Sequence, residues 1–131
     1  MTGMERSNEF FDGVGLQDQI RVEVAWRNRS AVISVCGTID LATATTMEQA
    51  INNVLDAAPD AVVIDLSDVD FFASAGMTIL VGAQKRLQRS QQLGIVARPI
   101  TARPLTLVGL ADVLPIYPTL AAALKAERDN G

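Results

Sequence analysis

The chain contains no histidine. That removes the commonest general base and excludes Ser-His-Asp and Cys-His nucleophile arrangements. It contains one cysteine, Cys36, so no internal disulfide can form and no multi-thiolate zinc site can be assembled. Cys36 lies in an apolar run and reads as a buried structural thiol in a reducing compartment. Eleven Lys and Arg against fifteen Asp and Glu leave a net charge of -4, which provides no basic face for nucleic acid or an anionic membrane. Long apolar runs are missing too. The longest uncharged stretch, Phe71–Gln84, is about 14 residues, short of the roughly 20 that a membrane helix needs. Gly13-Val14-Gly15 has no third glycine at dinucleotide-binding spacing, and no Gly-x-x-x-x-Gly-Lys loop occurs. The expectation is a cytoplasmic protein that is not an enzyme and carries no cofactor or metal. A protein partner or a small ligand remains as its target.

What is present is an apolar fraction of 49% in 131 residues, enough for one domain with one core. Residues 1–18 hold acidic residues and glycines without the apolar run of a signal peptide, and read as a flexible N-terminal arm. From Gln19 to Trp26, Ile20, Val22, Val24 and Trp26 alternate with Arg21, Glu23 and Ala25, the period of a half-buried strand. Asn28-Arg29-Ser30 makes a short turn into the apolar run Ala31–Cys36, so the two runs should form an antiparallel hairpin closed by Gly37. Met47, Ala50, Ile51, Val54 and Leu55 recur at helical spacing between Ala42 and Ala57, and Thr45 with Glu48 matches a capping box.

Pro59 stops that helix, and Ala61–Leu66 is apolar enough for a central strand. A long amphipathic helix is expected from Ser74 to about Leu93, with Lys85, Arg86 and Arg89 outward. Gly94 ends it. A short strand at Ile95–Ala97, a helix at Thr101–Leu110 with Pro104 in its first turn, an edge strand at Val113–Tyr117 and a helix at Thr119–Glu127 capped by Thr119 complete the domain. Residues 128–131 read as a frayed tail. The predicted fold class is α/β: a mixed sheet opening with an antiparallel hairpin, then alternating helices and strands, with the helices mainly on one face.

The most informative segment is Val62–Met77, which delivers Ser74 onto the start of a helix directly after a buried strand. Unpaired N–H groups and the helix dipole make that end welcome to an anion. Ser74 is therefore a helix cap, its oxygen accepting from an N–H two or three residues on, or a phosphorylation site. Asp65, Asp68 and Asp70, read as a strand-to-helix loop, are the remaining hard-metal candidates; solvated carboxylates are the commoner use of such a group.

Gly37-Thr38-Ile39-Asp40, Asp65-Leu66-Ser67, Phe72-Ala73-Ser74-Ala75-Gly76 and Gly109–Tyr117 occur in that order over most of the chain. Together they resemble the STAS domain of bacterial anti-sigma factor antagonists. The resemblance implies a phosphoacceptor at Ser74, with Gly76 matching the family glycine and Asp40 an acidic residue of the neighbouring loop. Ala73 stands where the family usually has aspartate, and Ala75 where it has a second hydroxyl. The implied partner-binding surface is Asp40, Ala73, Ser74, Ala75 and Gly76. The implied function is partner switching: docking on a kinase-type anti-sigma factor, release of the sigma factor, phosphorylation of Ser74 by the partner with ATP and magnesium ion, and reset by a serine phosphatase. Two other STAS roles stay open, a non-phosphorylated interaction or scaffold subunit of a stress-sensing or lipid-transport complex and a ligand sensor. A receiver domain with Asp65 as acceptor fits poorly, because the chain opens with a hairpin instead of a strand-helix unit.

Overall fold

A computed structural model of the chain describes residues 9–12 and 20–130. Six strands form one sheet in the order β1-β2-β3-β4-β5-β6: β1 (Glu9–Asp12), β2 (Ile20–Arg27), β3 (Ser30–Ile39), β4 (Ala61–Phe72), β5 (Gln92–Val96) and β6 (Ile116–Tyr117). The first three are antiparallel, and β3 through β6 run parallel. Helices α1 (Ala44–Asp56), α2 (Ser74–Arg86) and α3 (Pro99–Leu107) follow β3, β4 and β5, and α4 (Leu120–Asn130) closes the fold.

Strand alternation divides the core. Val22, Val24, Ile33, Val35, Val62 and Ile64 face α1, α2 and α3, while Val63 and Val96 face Ala123 of α4. Three helices on one face and one on the other is the expected mixed arrangement. The β2–β3 hairpin turns through Asn28 and Arg29, with Asn28 at φ 57°, a conformation that asparagine tolerates better than most residues.

Several boundaries differ from the sequence reading. β1 lies inside the expected flexible arm and pairs Glu9 with Val24 and Asp12 with Arg21; residues 1–8 and 13–18 of that arm, Gly13 and Gly15 among them, and residue 19 of the expected first strand lie outside the described residues. Gly37 does not end β3. It adopts φ 109° within the strand, beside a register shift. β4 runs through to Phe72 because it carries an extra residue at each of two register shifts against β3. Leu66, Val69 and Phe72 are consequently buried at intervals of three, which hides a strand from a period-two search. Asp65, Asp68 and Asp70 thus belong to a strand instead of a loop, and Asp65 Oδ1 accepts from both the amide (3.0 Å) and the hydroxyl (2.6 Å) of Ser67. Cys36 is exposed on β3 instead of buried.

α2 stops at Arg86. The Gln91 side chain takes over there, accepting from Gln88 N (2.8 Å) and donating to Pro59 O (2.7 Å), which turns the chain early enough for Leu93 to enter β5. The Arg86 guanidinium reaches back to α1, to Asn52 Oδ1 (2.6 Å) and Asp56 Oδ1 (3.0 Å). α3 begins at Pro99, which places Pro104 inside the helix and not in its first turn. The edge strand shrinks to β6, preceded by a 3-10 turn at Leu110–Asp112. Thr119 Oγ1 accepts from Ala122 N (3.1 Å), the expected cap of α4, and the helix continues over 128–130, where the sequence reading has a frayed tail.

Candidate functional site

The register pairs Ile39 with Phe72, so the residues that follow each strand, Asp40 and Ala73, begin adjacent loops. The Ala73 amide donates to Ile39 O at 2.8 Å and ties the two loops together. Asp40 and Ser74 are thus brought to one edge, at the carboxyl ends of the parallel strands, although 33 residues of sequence lie between them.

The Asp40 loop is braced by its own polar groups. Asp40 Oδ1 accepts from Ala42 N (2.9 Å) and Thr43 N (3.0 Å), and Asp40 O accepts from Ala44 N (2.9 Å). Thr43, only 1% exposed, accepts from Asp40 N at 2.9 Å and donates its hydroxyl proton to Thr38 O at 2.7 Å. This arrangement replaces the expected Thr45–Glu48 capping box: α1 has Thr43 at its N-cap position, and the carboxylate three residues earlier serves the amides there. Thr43 was missed from sequence. Its signal, a threonine three residues after an Asp in a loop, suits many turns.

Ser74 is not the cap of α2. Ala73 holds that position with φ -85° and ψ 171°, and no side chain caps the helix. Ser74 is the first helical residue, is exposed, and its hydroxyl makes no hydrogen bond among the described residues. The hydroxyl is therefore open to solvent beside the first, unpaired amides of a 13-residue helix with no acidic side chain in its first turn. Anionic charge added at Ser74 is favoured by the helix dipole.

The other members of the expected surface divide. Ala73 and Ala75 are half-buried at the rim, and Ala75 packs against the core cluster. Gly76 is buried. A Cβ built there would lie 2.7 Å from Phe72 Cζ and 2.8 Å from Ile39 Cγ2, so the helix is seated on these side chains at a distance that only glycine permits. The close approach gives Gly76 a packing role at the start of α2. Two apolar residues that the sequence reading did not single out are exposed near the ends of the paired strands: Leu41, 84% exposed, directly after Asp40, and Phe71, 57% exposed, three residues before Ser74. Exposed large apolar side chains at the same end of the sheet as a free hydroxyl suit a protein-binding surface. Among the described residues no group of three or more His, Cys, Asp or Glu is placed to hold a metal ion, and no helix is long and apolar enough to cross a membrane.

The comparisons with known proteins agree with this architecture. The chain is 43% identical over 112 residues to the anti-sigma-F factor antagonist RsfB of Mycobacterium tuberculosis, covering 85% of this chain and 92% of that protein. It is 26% identical over 115 residues to the anti-sigma-F factor antagonist RsfA of the same species, covering 85% and 90%. The crystal structure of an anti-sigma factor antagonist from Mycobacterium paratuberculosis superimposes with a TM-score of 0.82 at 45% identity, covering 85% of this chain and 96% of that one. The family model described as the STAS domain matches residues 20–123, and the chain belongs to the STAS domain family.

Proposed function

We propose that this protein is an anti-sigma factor antagonist that works in the cytoplasm, binding an anti-sigma factor through the edge formed by Asp40, Leu41, Phe71, Ala73 and Ser74 and so releasing the sigma factor. The observation that carries this reading is the free hydroxyl of Ser74 on the first turn of α2, at the end of the sheet where Leu41 and Phe71 are also exposed. The names of the relatives support the same reading. Control is by phosphorylation of Ser74. A kinase-type anti-sigma factor binds ATP with magnesium ion, the Ser74 oxygen attacks the γ-phosphorus as its proton passes to a base of the kinase, and ADP leaves. This chain supplies only the acceptor, and a serine phosphatase restores the hydroxyl. Phosphate adds about -1.5 to -2 charges at pH 7. The helix start accommodates that charge without refolding, while a complementary interface that must desolvate it loses affinity.

Ala73 and Ala75 favour a second reading, a constitutive STAS interaction subunit, because the carboxylate and second hydroxyl that the resemblance implies are absent from the acceptor loop. Calorimetry with the cognate anti-sigma factor separates the two. In the switching reading, Ser74→Ala keeps the parent affinity, Ser74→Glu weakens it at least about tenfold, a cost of about 1.4 kcal/mol, and incubation with ATP and magnesium ion adds phosphate mass to Ser74. Equal affinities for both variants together with no added mass overturn the switch and leave the constitutive subunit.

A further inference from the structure

We infer that the outward face of α3 is a docking surface for an amphipathic helix of a partner protein, one that carries acidic side chains beside its apolar stripe. Among the described residues, the exposed large apolar side chains Ile100, Leu107, Val108 and Val113 fall within one short stretch of chain, on α3 and around the 3-10 turn that follows it. Ile100 is 66% exposed and Leu107 78%. The buried residues of the helix are Thr101 and Leu105, and Leu105 joins the main core cluster. At about 100° per residue, the spacing of Ile100, Arg103 and Leu107 turns all three away from that anchored side. Clustered exposed apolar side chains of this kind mark a contact with another molecule.

Shape selects a helix as the occupant. A groove of about 330 Å³ lies on the outward side of α3, lined by Pro99, Ala102, Arg103, Thr106 and Leu107. Pro99, Arg103 and Leu107 succeed one another at intervals of four and form one ridge, and Ala102 and Thr106 form the next. A groove between two such rows receives the matching ridge of another helix. Pro99 to Leu107 spans about 12 Å along the axis, which two turns of a partner cover with apolar anchors at i, i+3 or i+4, and i+7.

Charge sets the sign of the partner. From Ala97 to Ala111 the chain holds Arg98 and Arg103 and no Asp or Glu, although the protein as a whole carries a net charge of -4. Both arginines are exposed, and neither makes an ion pair among the described residues. Acidic side chains bordering the partner's stripe complement them. A second copy of this chain does not, because antiparallel packing of α3 on its own copy brings Arg103, at the middle of the helix, against its counterpart. An anionic membrane is a poor match as well: two arginines on a nine-residue helix without Trp or Phe fall short of the basic, aromatic face of an interfacial helix. The inference does not rest on the function proposed for Ser74.

The probe is a synthetic peptide of about 18 residues, held helical by side-chain lactams, with leucine along one stripe and glutamate beside it. A second peptide with lysine in place of glutamate is the control. In amide nitrogen-proton spectra of the full chain, the glutamate peptide should produce saturable shifts centred on Ile100, Arg103, Leu107 and Val108, and the lysine peptide should bind at least about fivefold more weakly. Leu107→Ser should weaken the glutamate peptide at least about tenfold, and Arg103→Glu should erase the preference between the peptides. Both residues are exposed, so neither change threatens the core. Absence of saturable shifts at α3, equal binding of the two peptides, or parent behaviour in both variants would each overturn the inference. So would α3 shifts that follow the protein's own concentration without peptide, which assign the face to a second copy, or α3 shifts produced by vesicles of phosphatidylcholine and phosphatidylserine and by neither peptide, which assign it to a membrane.

Discussion

Replacing Gly76 by alanine is the substitution whose cost can be worked out most directly, because the same change at Gly82 provides an internal reference in the same helix. A methyl at residue 76 would sit 2.7–2.8 Å from Phe72 and Ile39, whereas carbon atoms settle at about 3.5–4.0 Å. About 1 Å must be found in a buried contact between two strands and the first turn of α2. Overpacking of this kind costs about 1–3 kcal/mol. Alanine recovers up to about 0.5–1 kcal/mol of backbone entropy, and less in the first turn than in a helix interior. The expected net loss is about 1–2 kcal/mol, equivalent to about 0.5–1 M in the urea midpoint at a slope of ~2 kcal/mol/M. At Gly82 a Cβ meets nothing within 4 Å, so Gly82→Ala should gain about 0.5–1 kcal/mol. Urea unfolding followed by far-UV circular dichroism measures both. A Gly76→Ala protein as stable as the parent would refute the close seating of α2 on Phe72 and Ile39, and with it the packing role assigned to Gly76.

Other substitutions test the local arguments. Thr43→Val keeps the shape of a buried side chain but strands Asp40 N and Thr38 O; a loss of about 1–3 kcal/mol in the same unfolding assay is expected. Ala58 ends α1 with φ 54°, a conformation that costs an L-residue about 1–2 kcal/mol, so Ala58→Gly should raise stability by about 1 kcal/mol despite the added freedom of the unfolded chain. Thr119→Ala removes the acceptor for Ala122 N and should cost about 1 kcal/mol. A neutral result in thermal unfolding would mean that water replaces the threonine oxygen.

The opening hairpin, the central position of Ala61–Leu66, the buried face of α1 and the Thr119 cap were legible in the sequence, because each depends on residues within a few positions of one another and follows from strand or helix period. The absence of histidine and the single cysteine also settled, from composition alone, which side-chain chemistries the chain can assemble. Tertiary structure decided the rest. β4 extends to Phe72 because its two added residues are accommodated by pairing with β3, a partner about 30 residues away that no local window contains. α2 ends at Arg86 because the Gln91 amide finds Pro59 O. Ser74 was visible as a helix-start serine, but its release from capping, the tie between Ala73 and Ile39, and the burial of Gly76 arise where two strands and a helix meet. Periodicity reports which side of an element is apolar. It carries no record of which distant backbone group will complete a hydrogen bond, and such bonds set the geometry of this edge.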